Sequence, residues 1–200
     1  MTTIESITLG AADVPAAESF YSDAFELDGG VLRLEHSDAD TEGFRGFTLS
    51  LLVSQPADVE AVVDAAVGAG ASTLKPVAKS LWGCGGVVQA PDGAIWKVAT
   101  AAKKNTAPAR RTIQNMVLLL GVDDVAASKR FYAARGLAVA KSFGSYVEFA
   151  TPGSRVGLGL YKRRALAKDA GVAPDGSGSH RITINGDAGG STDPDGFLWR

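Results

Sequence analysis

The sequence predicts an α+β fold made of tandem βαβββ modules, and two observations support this prediction. First, the chain repeats itself. Asp13–Tyr21 recurs as Asp124–Tyr132 with the same Asp-to-Phe spacing, and the Pro-Asp-Gly segment at 91–97 recurs at 194–200. Second, each half opens with a β-prone run, continues with a helical pattern and ends in a short apolar run after a turn. Such duplication predicts two similar halves.

The boundary between the halves is marked by composition. Residues 101–112 are small and basic, include Pro108, and have no apolar period, which is typical of a linker. We therefore expect a first domain at residues 1–100, a linker at 101–112 and a second domain at 113–200.

In the first half, Ile4–Leu9 is β-prone and predicts a strand, and Asp13 is a suitable N-cap for the helix that follows. Phe47–Val53 predicts another strand, and Pro56 opens a second helix with apolar residues at helical spacing. Three short strands are then expected at 72–76, 86–89 and 95–99.

The second half begins in the same way, with a predicted strand at 115–120 and a helix capped by Asp124. After the predicted strand at 181–184, the glycine-rich segment 185–193 is too short for a crossover helix. We therefore expect the last module to be degenerate, and we place an extra helix at Arg163–Ala170, ended by Gly171.

The bulk composition excludes several classes of partner. The formal charge is −2, from 20 basic and 22 acidic residues, so nucleic acid is not an expected partner. No apolar run approaches the roughly 20 residues that span a bilayer, and no signal peptide is recognisable, so we expect a cytoplasmic protein without membrane contact. The single cysteine, Cys84, excludes an internal disulfide and a cysteine-rich zinc site.

Over nearly its whole length, the chain resembles the vicinal oxygen chelate (VOC) superfamily, the glyoxalase/bleomycin-resistance/dioxygenase-like proteins with tandem domains. The resemblance lies in the paired modules, the Phe-Tyr pair within the first helix of each half, and two closing segments. These are Ala-Pro-Asp-Gly-Ala-Ile-Trp at 90–96 and Asp-Pro-Asp-Gly-Phe-Leu-Trp at 193–199. The resemblance implies a fold of two curved mixed sheets with the helices on the outside. Members include glyoxalases, dioxygenases, fosfomycin-modifying enzymes and metal-free binding proteins, so the fold leaves the function open.

The resemblance also implies where a metal would be bound, and this chain departs from that pattern. The position four residues after the glycine of Pro-Asp-Gly is normally glutamate, but here it is Lys97 and Arg200. The opening-strand position is usually histidine or glutamine, but here it is Ser6 and Val117. Neither the ammonium group of Lys97 nor the guanidinium group of Arg200 can ligate a divalent ion at neutral pH.

Two positions of the second half do match the family's ligands, namely Glu148 and His180. They are our candidate catalytic residues, although two ligands out of four rarely hold a metal. Whether the two face the same cavity stays open at this point. We therefore expect neither a metal nor another cofactor.

The candidate ligand-binding residues are two cations and four aromatic residues. Lys97 and Arg200 could bind a carboxylate or phosphate, or simply form salt bridges with acids of the chain. Trp96 and Trp199 alternate with these cations and are expected in the core. The aromatic candidates, for which packing is the alternative, are Trp82, Phe143, Tyr146 and Tyr161.

Three functional hypotheses follow. The first is a metal-independent small-molecule binding protein of the glyoxalase/bleomycin-resistance type, which sequesters or senses a metabolite or antibiotic. The second is a glyoxalase-like lyase or another VOC enzyme. The third is a homodimeric interaction module that pairs through the sheet edge left exposed by the degenerate last module.

Overall fold

The computed structural model describes residues 2–27 and 30–200. The first half contains β1 (Ile4–Ala11), α1 (Val14–Phe25), β2 (Leu32–His36), β3 (Thr41–Gly43), β4 (Phe47–Leu52), α2 (Pro56–Gly68), β5 (Ser72–Ser80), β6 (Gly83–Gln89) and β7 (Ile95–Thr100). The second half contains β8 (Asn115–Val122), α3 (Val125–Ala134), β9 (Ala138–Phe143), β10 (Tyr146–Ala150), β11 (Val156–Lys162), α4 (Arg163–Ala170), β12 (Gly176–Gly178), β13 (Ile182–Gly186), β14 (Ser191–Thr192) and β15 (Leu198–Trp199).

Two mixed sheets and one short ribbon organise these strands. The eight-stranded sheet has the order β5-β6-β7-β4-β8-β11-β10-β9, and the five-stranded sheet has the order β14-β15-β13-β1-β2. Strands β3 and β12 form the ribbon. The predicted α+β class with mixed sheets from tandem modules is confirmed.

Each main sheet combines strands from both halves of the chain. The eight-stranded sheet joins the second and third modules through the antiparallel pair β4–β8, and the five-stranded sheet joins the first and fourth through β1–β13. Residues 101–114 form neither helix nor strand and connect β7 to β8. The division into domains at 1–100 and 113–200 stays a prediction.

The inner modules are complete and the outer ones are reduced. In the third module a β9–β10 hairpin lies between α3 and β11, and β11 runs parallel to β8. In the first module the chain passes from α1 to β2, which runs parallel to β1. In the fourth module no helix lies between β13 and β14 among the described residues. The sequence predicts this degenerate last module.

The predicted helix ends are confirmed. A carboxylate oxygen of Asp13 accepts from Ala16 N at 3.0 Å, and a carboxylate oxygen of Asp124 accepts from the backbone of Ala126 and Ala127 at 2.9 and 3.0 Å. These bonds to the α3 backbone lower the pKa of Asp124. Helix α4 has the predicted bounds, and its cap Gly171 has a φ of 82°, which glycine adopts without strain.

A hydrogen-bonded triad links the two repeated motifs in the first half. Trp96 Nε1 donates to the Tyr21 hydroxyl at 3.3 Å, and that hydroxyl donates to the Asp92 carboxylate at 2.7 Å. Trp96 is fully buried, as predicted. The triad joins α1 of one module to the Pro-Asp-Gly turn of the next, which explains why the Phe-Tyr and Pro-Asp-Gly motifs occur together.

The second half repeats this triad with a different acid. The Tyr132 hydroxyl donates to Asp193 at 2.6 Å, and Trp199 Nε1 lies 3.5 Å from that hydroxyl. Asp193 precedes the Pro-Asp-Gly turn, whereas the acid of the turn, Asp195, accepts from Ser128 Oγ at 2.7 Å. Trp199 is buried as predicted.

The eight-stranded sheet has two differently covered faces. Leu118 and Leu120 of β8 point to the main core, which includes apolar residues of α1 and α2. Leu119 points to the opposite side, where it belongs to a second cluster with Leu166 and Ala167 of α4. We call this opposite side the cleft face. No helix within residues 2–27 and 30–200 is long and apolar enough to cross a membrane.

Candidate functional site

A cavity of about 360 Å³ lies on the cleft face, beside α4. Its walls come from five strands of the eight-stranded sheet and from the end of α4. The polar and aromatic residues that line it include Ser50, Lys97, Asn115, Tyr146, Glu148, Tyr161 and Asp169. We refer to this cavity as the cleft.

Strand register places four residues in one row across the floor of the cleft. Ser50 of β4 pairs with Lys97 of β7 on one side and with Val117 of β8 on the other. Val117 in turn pairs with Gly157 of β11. The row thus brings Lys97 and Val117, one from each half, into a single site.

The chemistry of this row does not fit a divalent cation. It offers an ammonium group, a hydroxyl, an isopropyl group and a glycine, of which only the hydroxyl could donate an oxygen ligand. Within the described part of the chain, no group of three or more His, Cys, Asp or Glu residues is placed to hold a metal ion. The four residues of this row therefore do not form a donor set for a divalent cation.

The Lys97 ammonium group is already paired. Its Nζ lies 2.7 Å from Oδ2 of Asp169 at the end of α4. The side chains of Lys97 and Asp169 are 31% and 40% exposed. Lys75 Nζ also donates to the carbonyl oxygens of Lys168 and Asp169, each at 2.7 Å. These contacts hold the C-terminal end of α4, where cations are favoured by the helix dipole.

Glu148 and two tyrosines form the opposite wall of the cleft. The Glu148 carboxylate accepts from the Tyr146 hydroxyl and from Lys141 Nζ, both at 3.2 Å. The rings of Tyr146 and Tyr161 lie 4.7 Å apart with a tilt of 47°. Burial and, next, the charge of Glu148 raise the pKa of Tyr146. Burial and then Asp169 raise the pKa of Tyr161.

The cleft residues depend on glycines of β11. Gly157 and Gly159 point to the cleft face, and a Cβ on Gly159 would lie 2.9 Å from Leu119 and 3.4 Å from the Tyr146 ring. Glu148 pairs with Gly159 across the β10–β11 ladder. The absence of a side chain at Gly159 therefore leaves room for the Tyr146 ring.

His180 lies outside the cleft. Its Nδ1 is 2.5 Å from the carbonyl oxygen of Arg45 and its Nε2 is 3.0 Å from that of Asp195, and its ring stacks on Phe197 at 4.1 Å. It lines a separate cavity of about 790 Å³, together with Arg163 and Asp195. Glu148 and His180 do not share a cavity, so the structure does not bring the two candidate catalytic residues together.

Three candidate ligand-binding residues also lie away from the cleft. Arg200 is on the five-stranded sheet, where its guanidinium lies 3.5 Å from Glu35. Trp82 is 85% exposed at the β5–β6 turn, and Phe143 is 69% exposed at the end of β9. Their roles in ligand binding stay predictions.

Sequence reasoning overlooked Ser50, Asn115 and Asp169 as residues of the site. Asp169 could be placed on a predicted helix, but no local signal shows which sheet face that helix covers. The alternation of glycines at 157 and 159 was the available signal, because glycine in a strand often marks close approach of a ring or ligand.

Comparison with known proteins supports the fold and nothing narrower. No family model matches the sequence, and no curated protein matches it. Among solved structures, glyoxalase I from Zea mays has a TM-score of 0.64 and 14% identity, covering 100% of this chain and 91% of its own. A Bacillus subtilis protein provisionally named a dioxygenase has a TM-score of 0.58 and 11% identity over 96% of this chain and 71% of its own.

A glyoxalase-related enzyme from Fulvimarina pelagi is 25% identical over 50% of this chain and 88% of its own, with a TM-score of 0.43. The two longer matches span nearly the whole chain at low identity, so they bear on architecture alone. The chain therefore has the fold of the vicinal oxygen chelate superfamily, as the resemblance of its sequence predicts.

Proposed function

We propose that this protein binds a small organic molecule in the cleft without the help of a metal ion. The observation that carries the proposal is the row Lys97–Ser50–Val117–Gly157, which lies across the cleft floor and lacks a metal donor set. A cavity of about 360 Å³ is within the size range of small-ligand sites. Sequestration or sensing of a metabolite or antibiotic is the role that we infer from such a site.

The placement of the candidate catalytic residues favours binding over catalysis. A general acid and a general base must both reach the reacting group of one substrate. Glu148 lines the cleft, whereas both ring nitrogens of His180 lie against backbone carbonyl oxygens in another cavity. The pair therefore gives no support to an acid-base enzyme.

Metal content tests the proposal directly. Protein purified without a chelating tag is analysed by plasma mass spectrometry and titrated calorimetrically with Zn²⁺, Ni²⁺, Mn²⁺ and Fe²⁺. We expect no stoichiometric metal and no saturable heat. Stoichiometric metal that is lost in Glu148→Gln, but kept in the matched control Glu60→Gln at an exposed position of α2, would overturn the proposal.

The cytoplasmic location and the homodimer both stay predictions. Strand β14 of the fourth module lies at the edge of the five-stranded sheet and is available for pairing in the described structure. Gel filtration with light scattering tests the dimer, and a monomer at high concentration would exclude it.

A further inference from the structure

We propose that the ligand of the cleft is a protonated amine attached to a flat, unsaturated ring system. This inference rests on the proposed function and specifies the class of its ligand. The charges, the aromatic rings and the strand glycines of the cleft support it.

The charges that line the cleft favour a cation. Two carboxylates, Glu148 and Asp169, face one ammonium group, Lys97, and that ammonium is held by Asp169 at 2.7 Å. Glu148 is left with Lys141, which reaches it from the exposed edge strand β9 at 3.2 Å and is 59% exposed. An ion pair this exposed contributes little to stability, so a ligand ammonium group can replace Lys141 at a small cost in free energy.

The hydrogen bonds of Glu148 leave an acceptor for such a group. Tyr146 and Lys141 both donate to Oε2, and no donor of the described residues reaches Oε1. The carboxylate is fixed by the Tyr146 hydroxyl, which acts as a positioning group for it. Hydrogen bonds between charged partners are about twice as strong as neutral ones.

The aromatic part of the ligand is inferred from the wall next to Glu148. The tilted Tyr146 and Tyr161 rings stand over a strand whose cleft-facing positions include Gly157 and Gly159. Val117 and Leu119 continue this surface on β8. A flat ring system can lie against such a wall, and the tyrosine faces also attract an adjacent cation.

An anionic ligand would meet the wrong potential at this wall. Burial and then the charge of Glu148 raise the pKa of Tyr146, and burial and then Asp169 raise the pKa of Tyr161, so a carboxylate acts on each hydroxyl. A ligand carboxylate would add to this repulsion, while the one ammonium of the cleft is occupied.

The test compares three ligands with the same ring and different charge. Tryptamine, 3-methylindole and indole-3-acetate are titrated into the ¹⁵N-labelled full chain, and binding is followed by amide shifts at residues of the cleft. We expect tryptamine to bind at least about tenfold more tightly than the other two, since its ammonium group can donate a charged hydrogen bond to Glu148.

Variants test the charge of Glu148 and the aromatic contact of Tyr161 separately. Glu148→Gln should weaken tryptamine about tenfold and leave 3-methylindole unchanged, whereas Tyr161→Ala should weaken both. Glu60→Gln removes the same charge from the exposed face of α2 and should change neither. If Glu148→Gln unfolds, rising salt should weaken tryptamine and spare 3-methylindole in the unmodified protein.

The inference is overturned if tryptamine shows no advantage over the other two, including the case in which none of them binds. Tighter binding of indole-3-acetate in the cleft would contradict the charge argument but support the proposed function. Stoichiometric metal in the purified protein would instead overturn the proposed function, so the two failures are distinguishable.

Discussion

The sharpest prediction concerns the two buried triads, which should differ in strength although they look alike. Tyr132→Phe removes a hydroxyl that donates to Asp193 at 2.6 Å, and Tyr21→Phe removes one that donates to Asp92 at 2.7 Å. Both variants keep the ring in the core. Both also remove the acceptor of a tryptophan N–H, so the difference between the two variants reports the hydrogen bond to the carboxylate.

The difference in magnitude comes from the burial of the acids. Asp193 is only 5% exposed, so water cannot replace the lost donor, and Tyr132→Phe should cost about 2 kcal/mol. Asp92 is half-buried and can be rehydrated, so Tyr21→Phe should cost about 1 kcal/mol. For a chain of this size these losses correspond to falls in Tm of about 4–8 °C and 2–4 °C.

The same triad gives a pH dependence with a definite sign. Burial raises the pKa of Asp193 above its usual 3.8, and the bond from Tyr132 lowers it in part. The folded state therefore binds more protons than the unfolded chain above pH 3.8, and this group's contribution to stability falls as pH rises through the folded pKa. Tyr132→Phe removes the hydrogen bond that lowers the pKa of Asp193, so in this variant the pKa of Asp193 rises further.

The assay is urea denaturation of the wild type, Tyr132→Phe and Tyr21→Phe at several pH values between 4 and 8. The deficit of Tyr132→Phe should grow with rising pH and shrink towards the acid end of the series. Equal losses in the two variants, or a deficit of Tyr132→Phe that grows on acidification, would refute the reasoning.

Three further predictions concern other parts of the fold. Gly83 has a φ of 128°, and a Cβ there would lie 2.0 Å from the carbonyl oxygen of Thr100. Gly83→Ala should therefore lower the free energy of unfolding, measured by urea denaturation, by more than about 3 kcal/mol. Gly144→Ala, with a φ of 53° and nothing nearby, should cost only about 1 kcal/mol, and equal losses would contradict this account. His180→Ala should cost about 2 kcal/mol because it removes contacts to two backbone carbonyls and a ring stack; an unchanged Tm would exclude that role. Cys84 is buried with a raised thiol pKa, so Ellman's reagent should label it only as urea unfolds the chain, and fast labelling of the native protein would contradict this.

The parts of the fold that the sequence predicts are those with local signals. Asp13 and Asp124 cap their helices as expected, because an aspartate at this position satisfies free backbone N–H groups wherever the helix packs. Helix α4 was expected at its observed bounds, since Gly171, which ends it, is also a local feature. The buried Trp96 and Trp199 follow from strand alternation.

The candidate site was predicted less completely, because its geometry depends on pairing between distant strands. The sequence places Lys97 in the closing strand of the first half and Val117 in the opening strand of the second, but only the β7–β4–β8 register puts them in one row. Asp169 becomes the partner of Lys97 because α4 covers the cleft face, which composition does not reveal. Trp82 has a sequence context typical of a ligand-contacting loop, yet it lies at an exposed turn.

The asymmetry between the two main sheets explains why we place binding in the larger one. The five-stranded sheet has an equivalent row, in which Asn185 pairs with Ser6 as Ser50 pairs with Val117. There, Asn185 Nδ2 donates to Thr8 Oγ1 at 2.9 Å and lies 3.2 Å from Ser6 Oγ. The polar groups of that row satisfy one another, whereas in the larger sheet Val117 and Gly157 leave the floor open. The larger sheet therefore has the space that a ligand needs.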